Sequence, residues 1–243
     1  MLLAANWKMN LDYEQAKALS AEFAAMSHKT AAKLVVFPPA LYADLVQGAS
    51  EQSALEWGGQ SSHPANAGAH TGDISASMFA SRGASWLLAG HSERRQDHGE
   101  TDSDIAAQVK SALQAGLRPI LCVGETEAQR QEGQAIAITC AQIKAGLSDI
   151  ETDQEIVIAY EPVWAIGTGL VAQPADIQEM HQAIFDFMRN ELSVTYDPQI
   201  LYGGSVNASN AGEILHLPHV GGALVGGASL KSDAFQAIIE AAE

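Results

Sequence analysis

The chain has 243 residues, 47% of them apolar and 17% charged, a composition that excludes a disordered protein. Its formal net charge is −16, from 13 Lys and Arg against 29 Asp and Glu, with no basic cluster. Nucleic acid and anionic membranes are therefore not expected partners, while a small anion held by a local nest of backbone N–H groups is still allowed.

No apolar run is long enough to span a bilayer, and "MLLAANWKMN" lacks the basic start and long apolar run of a secretory leader. Cys122 and Cys140 are too far apart for a CxxC motif. They read as reduced core thiols of a cytoplasmic protein.

In chain order, β-rich apolar runs alternate with helix-forming segments. "LLAANW" is followed by the amphipathic "YEQAKALSAEFAAM", and "KLVVFP" by the short "ALYADLVQGA". Then come "LEWGGQ", "WLLAGH" with the helical "DSDIAAQVKSALQAG", and "PILCVGE", "IVIAYEP", "ILYGGS" and "GALVGGA". The helical "SDAFQAIIEAA" closes the chain. Runs this apolar and unalternating suit a parallel sheet covered on both faces. Strand and helix repeated eight times, with about 30 residues per unit, predict an α/β fold: a (β/α)8 barrel, one domain over 1–243. A doubly wound sheet would want a glycine-rich fingerprint after the first strand, where "NWKMNLD" stands instead. The longest patternless stretch is 61–73, "SSHPANAGAHTGD", running from Ser61 to Asp73. A loop of that length is expected to be functional or an interface.

Catalytic groups of such barrels sit at the C-terminal ends of strands. Here those ends carry Asn6 and Lys8, Gln60, His91, Glu125, Glu161, Gly203 to Ser205, and the pair Gly226 and Gly227. Each alone reads as a polar residue facing water. Together they converge a carboxylate base, an imidazole and a cation on one mouth. Glycine pairs at the last two strand ends let backbone N–H groups approach an anion, which predicts a phosphate site. "HSERR" puts His91 where a helix begins, and a helix N-terminus disfavours an imidazolium. His216 and His219 in "HLPH" lack further ligands nearby, and His28, His63, His98 and His181 form no constellation. No metal is predicted.

The segments "NWKMN", "GHSERR", "LCVGETE", "AYEPVWAIGTG", "YGGSVNASN" and "GALVGGASL" resemble, in order, the triosephosphate isomerase family over essentially the whole chain. The resemblance implies a TIM barrel that interconverts dihydroxyacetone phosphate and D-glyceraldehyde 3-phosphate in glycolysis and gluconeogenesis. Proton transfer through an enediol(ate) would need no cofactor. It implies Glu161 as base, a neutral His91 as electrophile, Lys8 as positive charge and Asn6 as orienting group. The phosphate would lie on backbone N–H groups of Gly167, Ser205, Gly226 and Gly227, with Glu93 linked to Lys8 behind the site. A lid would comprise Pro162, Val163, Trp164, Ala165, Ile166, Thr168 and Gly169. Tyr202 and Ser205 would latch it, and Glu125 would partner the Trp164 indole. A homodimer is implied, with the 61–73 loop entering the neighbouring subunit beside its Lys and His.

The chain departs from the family pattern in three places. Leu170 replaces a hinge Lys. Phe185 and Gly221 replace an Arg–Asp pair, and losing both strands no charge. His70 and Asp73 stand where Phe and Glu are common, while Thr71 is retained. A catalytically silent phosphate-binding barrel is the alternative function. Retention of all four polar reaction residues argues against it.

Overall fold

The computed structural model describes residues 1–165 and 172–243. Its strands are β1 (Leu2–Asn6), β2 (Lys33–Phe37), β3 (Glu56–Gly59), β4 (Trp86–Ala89), β5 (Arg118–Val123), β6 (Val157–Tyr160), β7 (Ile200–Tyr202) and β8 (Gly222–Val225). Each pairs in parallel with the next, and β8 returns to β1 with Leu2 opposite Gly222, closing the barrel.

Closure explains the unalternating strands. Leu2, Ala4, Val35, Phe37, Trp86, Leu88, Ile120, Cys122, Ala159, Leu201 and Leu224 fill the barrel interior. Their alternate neighbours, among them Leu3, Ala5, Leu34, Val36, Leu121 and Ile158, pack outward against helices. Both faces are therefore dry, so both must be apolar.

The helices are α1 (Tyr13–Ser27), α2 (Ala43–Ser50), α3 (Ala76–Ser81), α4 (Ser92–His98), α5 (Asp102–Gln114), α6 (Glu127–Gln131), α7 (Ala135–Gly146), α8 (Pro174–Asp186), α9 (Ala211–Leu215) and α10 (Ser232–Ala241). Asp12, Thr101 and Thr126 begin α1, α5 and α6 with reciprocal caps to Gln15, Asp104 and Gln129. Trp7, Phe23 and Phe235 join the end of β1 to α1 and α10, with the two phenyl rings stacked at 4.6 Å.

Cys122 is inside the barrel, where burial pushes its thiol pKa well up. Cys140 departs from its expected core position: it lies on α7, only half-buried, because it falls off that helix's inward stripe of Thr139 and Ile143. The 61–73 stretch holds no helix, and its one strand-like pairing joins His63 to Ser75. No described helix is long and apolar enough to cross a membrane.

Candidate active site

β1 delivers Asn6 to the barrel mouth, and the chain turns at Lys8 with φ +51°. A side chain in that left-handed region costs about 1 kcal/mol or more. Hydrogen bonds offset the strain. Asn6 Oδ1 accepts the Lys8 N–H at 3.0 Å, and Gln60 Nε2 donates to Lys8 O and Phe37 O, each at 2.9 Å. The turn aims Lys8 Nζ at Glu93 Oε1, 2.7 Å away.

His91 is the N-cap of α4. Its Nδ1 accepts the Glu93 N–H at 3.2 Å, so the neutral ring carries its proton on Nε2. That nitrogen lies 3.0 Å from Glu161 Oε1, while the Ser92 N–H donates to Glu161 Oε2 at 2.9 Å. Both side chains are buried. Burial opposes charge on each, but their mutual attraction and hydrogen bond outweigh it. The Glu161 carboxyl is held below its usual range, and the His91 imidazole is raised. This corrects the expectation that the start of α4 disfavours the imidazolium: the Glu161 carboxylate outweighs it, and the net shift favours a proton on His91. In the neutral ring the Glu93 N–H selects the tautomer that leaves the proton on Nε2.

Glu161 is gripped by neighbouring strands. Its N–H donates to Val123 O at 2.7 Å, and the Gly203 N–H donates to Tyr160 O at 2.7 Å. A Cβ on Gly124 would overlap the Glu161 carbonyl oxygen, and one on Gly203 would come 2.9 Å from Glu161 Cγ. A Cβ on Gly204 would collide with Tyr202 Oη. The first glycine pair is thus demanded by packing, Gly203 against the acid and Gly204 against Tyr202. The second differs. Among the described residues, a Cβ at Gly226 would meet only Lys8, first at 3.4 Å, and one at Gly227 nothing within 4 Å. Gly226 and Gly227 instead line a cavity of about 730 Å³ shared with Asn6, Lys8, His91, Glu161 and Ser205.

A buried carboxylate, an imidazole and a lysine facing one cavity at the C-terminal mouth of a closed parallel barrel narrow the family, and comparison decides it. A family model described as triosephosphate isomerase matches residues 1–242. The chain belongs to the triosephosphate isomerase family. It is 46% identical to the triosephosphate isomerase of Hahella chejuensis over 242 residues, covering 99% of this chain and 98% of that one. Identity to the triosephosphate isomerase of Caulobacter vibrioides is 47%, covering 99% and 96% of the two chains. The crystal structure of triosephosphate isomerase from Bartonella henselae matches with a TM-score of 0.89 at 38% identity, covering 99% and 98%.

Of the other described residues expected from the triosephosphate isomerase pattern, Val163 and Ser205 line the cavity, and the rest fall behind or beside it. Pro162 is buried, and residues Val163–Ala165 form a single tight turn. The Val163 N–H donates to Glu125 O at 3.2 Å, and Trp164 Nε1 donates to Glu125 Oε1 at 2.8 Å. Ser205 is exposed at the rim, and its hydroxyl donates to Ala165 O at 3.5 Å. Tyr202 Oη is buried without a hydrogen-bond partner among the described residues. Burial, then the Asp176 charge, pushes its pKa up to about 12. Ile166, Gly167, Thr168, Gly169 and Leu170 lie outside the described residues.

Where the family pattern has an Arg–Asp pair, the Phe185 ring packs on the neighbouring His219 ring at 4.2 Å. Gly221 makes a backbone bond to Ile200 O at 2.7 Å. An aromatic contact thus joins α8 to the approach of β8.

The sequence pattern left His63 without partners, and folding supplies two. Its ring stacks on His70 at 3.8 Å, and its Nε2 lies 3.9 Å from Asp73 Oδ2. One ligand atom from each of these residues lies within 4.8 Å of the others. His63 Nδ1 already accepts the Ala65 N–H at 3.0 Å, so in the neutral ring it is an N–H, not a lone pair, that faces Asp73. A cation there would require exchanging that tautomer and breaking the Ala65 bond.

Two contributors to the site escaped the sequence pattern. The Ser92 donor is a backbone N–H, which has no residue signature beyond the helix start. Gly124, inside "LCVGETE", reads as an ordinary strand-end glycine until Glu161 is seen against it.

Proposed function

We propose that this chain interconverts dihydroxyacetone phosphate and D-glyceraldehyde 3-phosphate, with Glu161 as the base that moves a proton between adjacent carbons. The observation that carries this reading is the buried Glu161 carboxyl held 3.0 Å from His91 Nε2 on the cavity that Lys8 also lines. A carbon beside a carbonyl is only weakly acidic. Removing its proton needs a base in contact and electrophiles where oxygen gains charge. Glu161 supplies the base. The His91 Nε2–H, Asn6 and Lys8 supply the electrophiles, and Glu93 steadies Lys8.

Backbone N–H groups at Ser205, Gly226 and Gly227, with Gly167, hold the phosphate. Residues 162–169 close over the site and exclude water from the enediolate, latched by Tyr202 and Ser205. The reaction belongs to glycolysis and gluconeogenesis, and two free thiols support a reducing, cytoplasmic setting. A silent phosphate-binding barrel would have no use for a buried carboxyl held against an imidazole on the same cavity as a lysine.

We also assign a homodimer through the 61–73 loop. Met9 is 95% exposed beside Lys8. It lines a second cavity of about 480 Å³ with Asn10, Gln60, Arg94 and His98, into which a partner's loop would fit.

The test is turnover of glyceraldehyde 3-phosphate by purified protein, coupled to reduction of the ketone product. Glu161→Gln is expected to lower kcat by roughly 10³-fold. Wild-type turnover no greater than that of the variant would overturn the assignment.

A further inference from the structure

Arg130, on α6, takes no part in the reaction written above, yet its guanidinium joins separate elements. Nη1 donates to Glu125 Oε1 at 3.3 Å, just past β5. Nη2 pairs with Asp176 Oδ1 at 2.7 Å, in the first turn of α8. Its Cζ lies 4.8 Å from the centre of the Trp164 ring.

Glu125 shows why these contacts matter. It is fully buried, and Arg130 is the cation paired with it among the described residues. Its Oε1 also accepts Tyr160 Oη at 3.1 Å and Trp164 Nε1 at 2.8 Å, while its backbone O accepts the Val163 N–H at 3.2 Å. Glu125 therefore grips the chain on both sides of Glu161, one residue before it and two to three residues after. A buried carboxylate stripped of its cation either takes up a proton or draws in water, and either change alters its bonds. Asp176 extends the framework. Its Oδ2 accepts the Gln173 N–H at 3.2 Å, ahead of the first turn of α8.

We propose that Arg130 is a positioning residue for the proton transfer: by pairing with Glu125 it holds the strand end that presents Glu161, and through Asp176 it fixes that strand end against α8. The inference rests on the reading of Glu161 as base. Placement of a base affects the chemical step more than substrate capture, because a displacement of about 1 Å can cost up to roughly 100-fold in rate.

The experiment measures kcat and KM for glyceraldehyde 3-phosphate in the full-length protein carrying Arg130→Met, Arg130→Lys, Glu125→Gln, and Glu125→Gln with Arg130→Met. Arg130→Met is expected to lower kcat roughly 10- to 100-fold while KM moves less than about threefold. Arg130→Lys keeps the charge but cannot span both carboxylates, so its loss is smaller.

The double variant removes the stranded charge, and its kcat should return to within about threefold of Glu125→Gln alone. A purely structural role would lower melting and the folded fraction while leaving kcat per folded molecule unchanged. Unchanged kcat in Arg130→Met, a change confined to KM, or no recovery in the double variant would each overturn the proposal. If Arg130→Met fails to fold, Arg130→Lys and the double variant carry the same test. If Glu161→Gln is inactive while Arg130→Met is normal, this inference fails alone. An active Glu161→Gln removes the base assignment beneath it.

Discussion

His181 sets a measurable acid limit on stability. It lies on α8 with no exposed surface, edge-on to Tyr160 and tilted against Tyr202. Its Nδ1 donates to His219 O at 3.1 Å, and its Nε2 has no partner among the described residues. Protonating Nε2 would bury an unbonded N–H and a charge between two phenol rings. Burial accordingly lowers its pKa from 6.5 to about 4, against the opposing effect of the His219 carbonyl.

The sign follows from which state takes up the proton. Below pH 6.5 the unfolded chain protonates this imidazole while the native chain does not, so stability falls as pH drops toward 4 and is unaffected above the unfolded value. From these two values the loss is about 2 kcal/mol at pH 5 and about 3 kcal/mol near pH 4. His181→Gln keeps an amide donor for His219 O and cannot titrate. Urea midpoints at pH 8 and pH 5, at one fixed protein concentration because oligomer stability depends on it, give the comparison. The wild type should lose about 2 kcal/mol more than the variant between the two pH values. Parallel losses would refute the buried neutral histidine.

Two further outcomes follow from contacts at the mouth. Gly124→Ala pushes a methyl group into the Glu161 carbonyl oxygen. It should cost about 1–3 kcal/mol of stability by overpacking and lower kcat with it; a variant with unchanged melting and turnover would show that the strands part freely. Met9→Glu places a charge at the exposed apolar tip beside Lys8. Sedimentation velocity should show its dimer dissociating at concentrations where the wild type is associated, and an equally stable dimer would remove Met9 from the interface.

Much of this protein is written locally in its chain. Apolar runs such as "KLVVF" and caps such as Asp12 with Gln15 depend on neighbours a few residues away. The barrel's element order was accordingly legible, and so were the strand-end residues Asn6, Lys8, His91 and Glu161, since a strand carries its last side chain to the mouth wherever it lies in the sheet. Tertiary structure alone decided what those residues touch. Gly203 and Gly204 are small because Glu161 and Tyr202 pass against them, whereas Gly226 and Gly227 meet no such close contact among the described residues, and the two pairs look alike in sequence. His63 meets His70, His181 is sealed between tyrosines, and Arg130 spans Glu125 and Asp176 only once the chain has folded. Such contacts join segments brought together by barrel closure, and closure depends on the whole chain, so no local pattern records them.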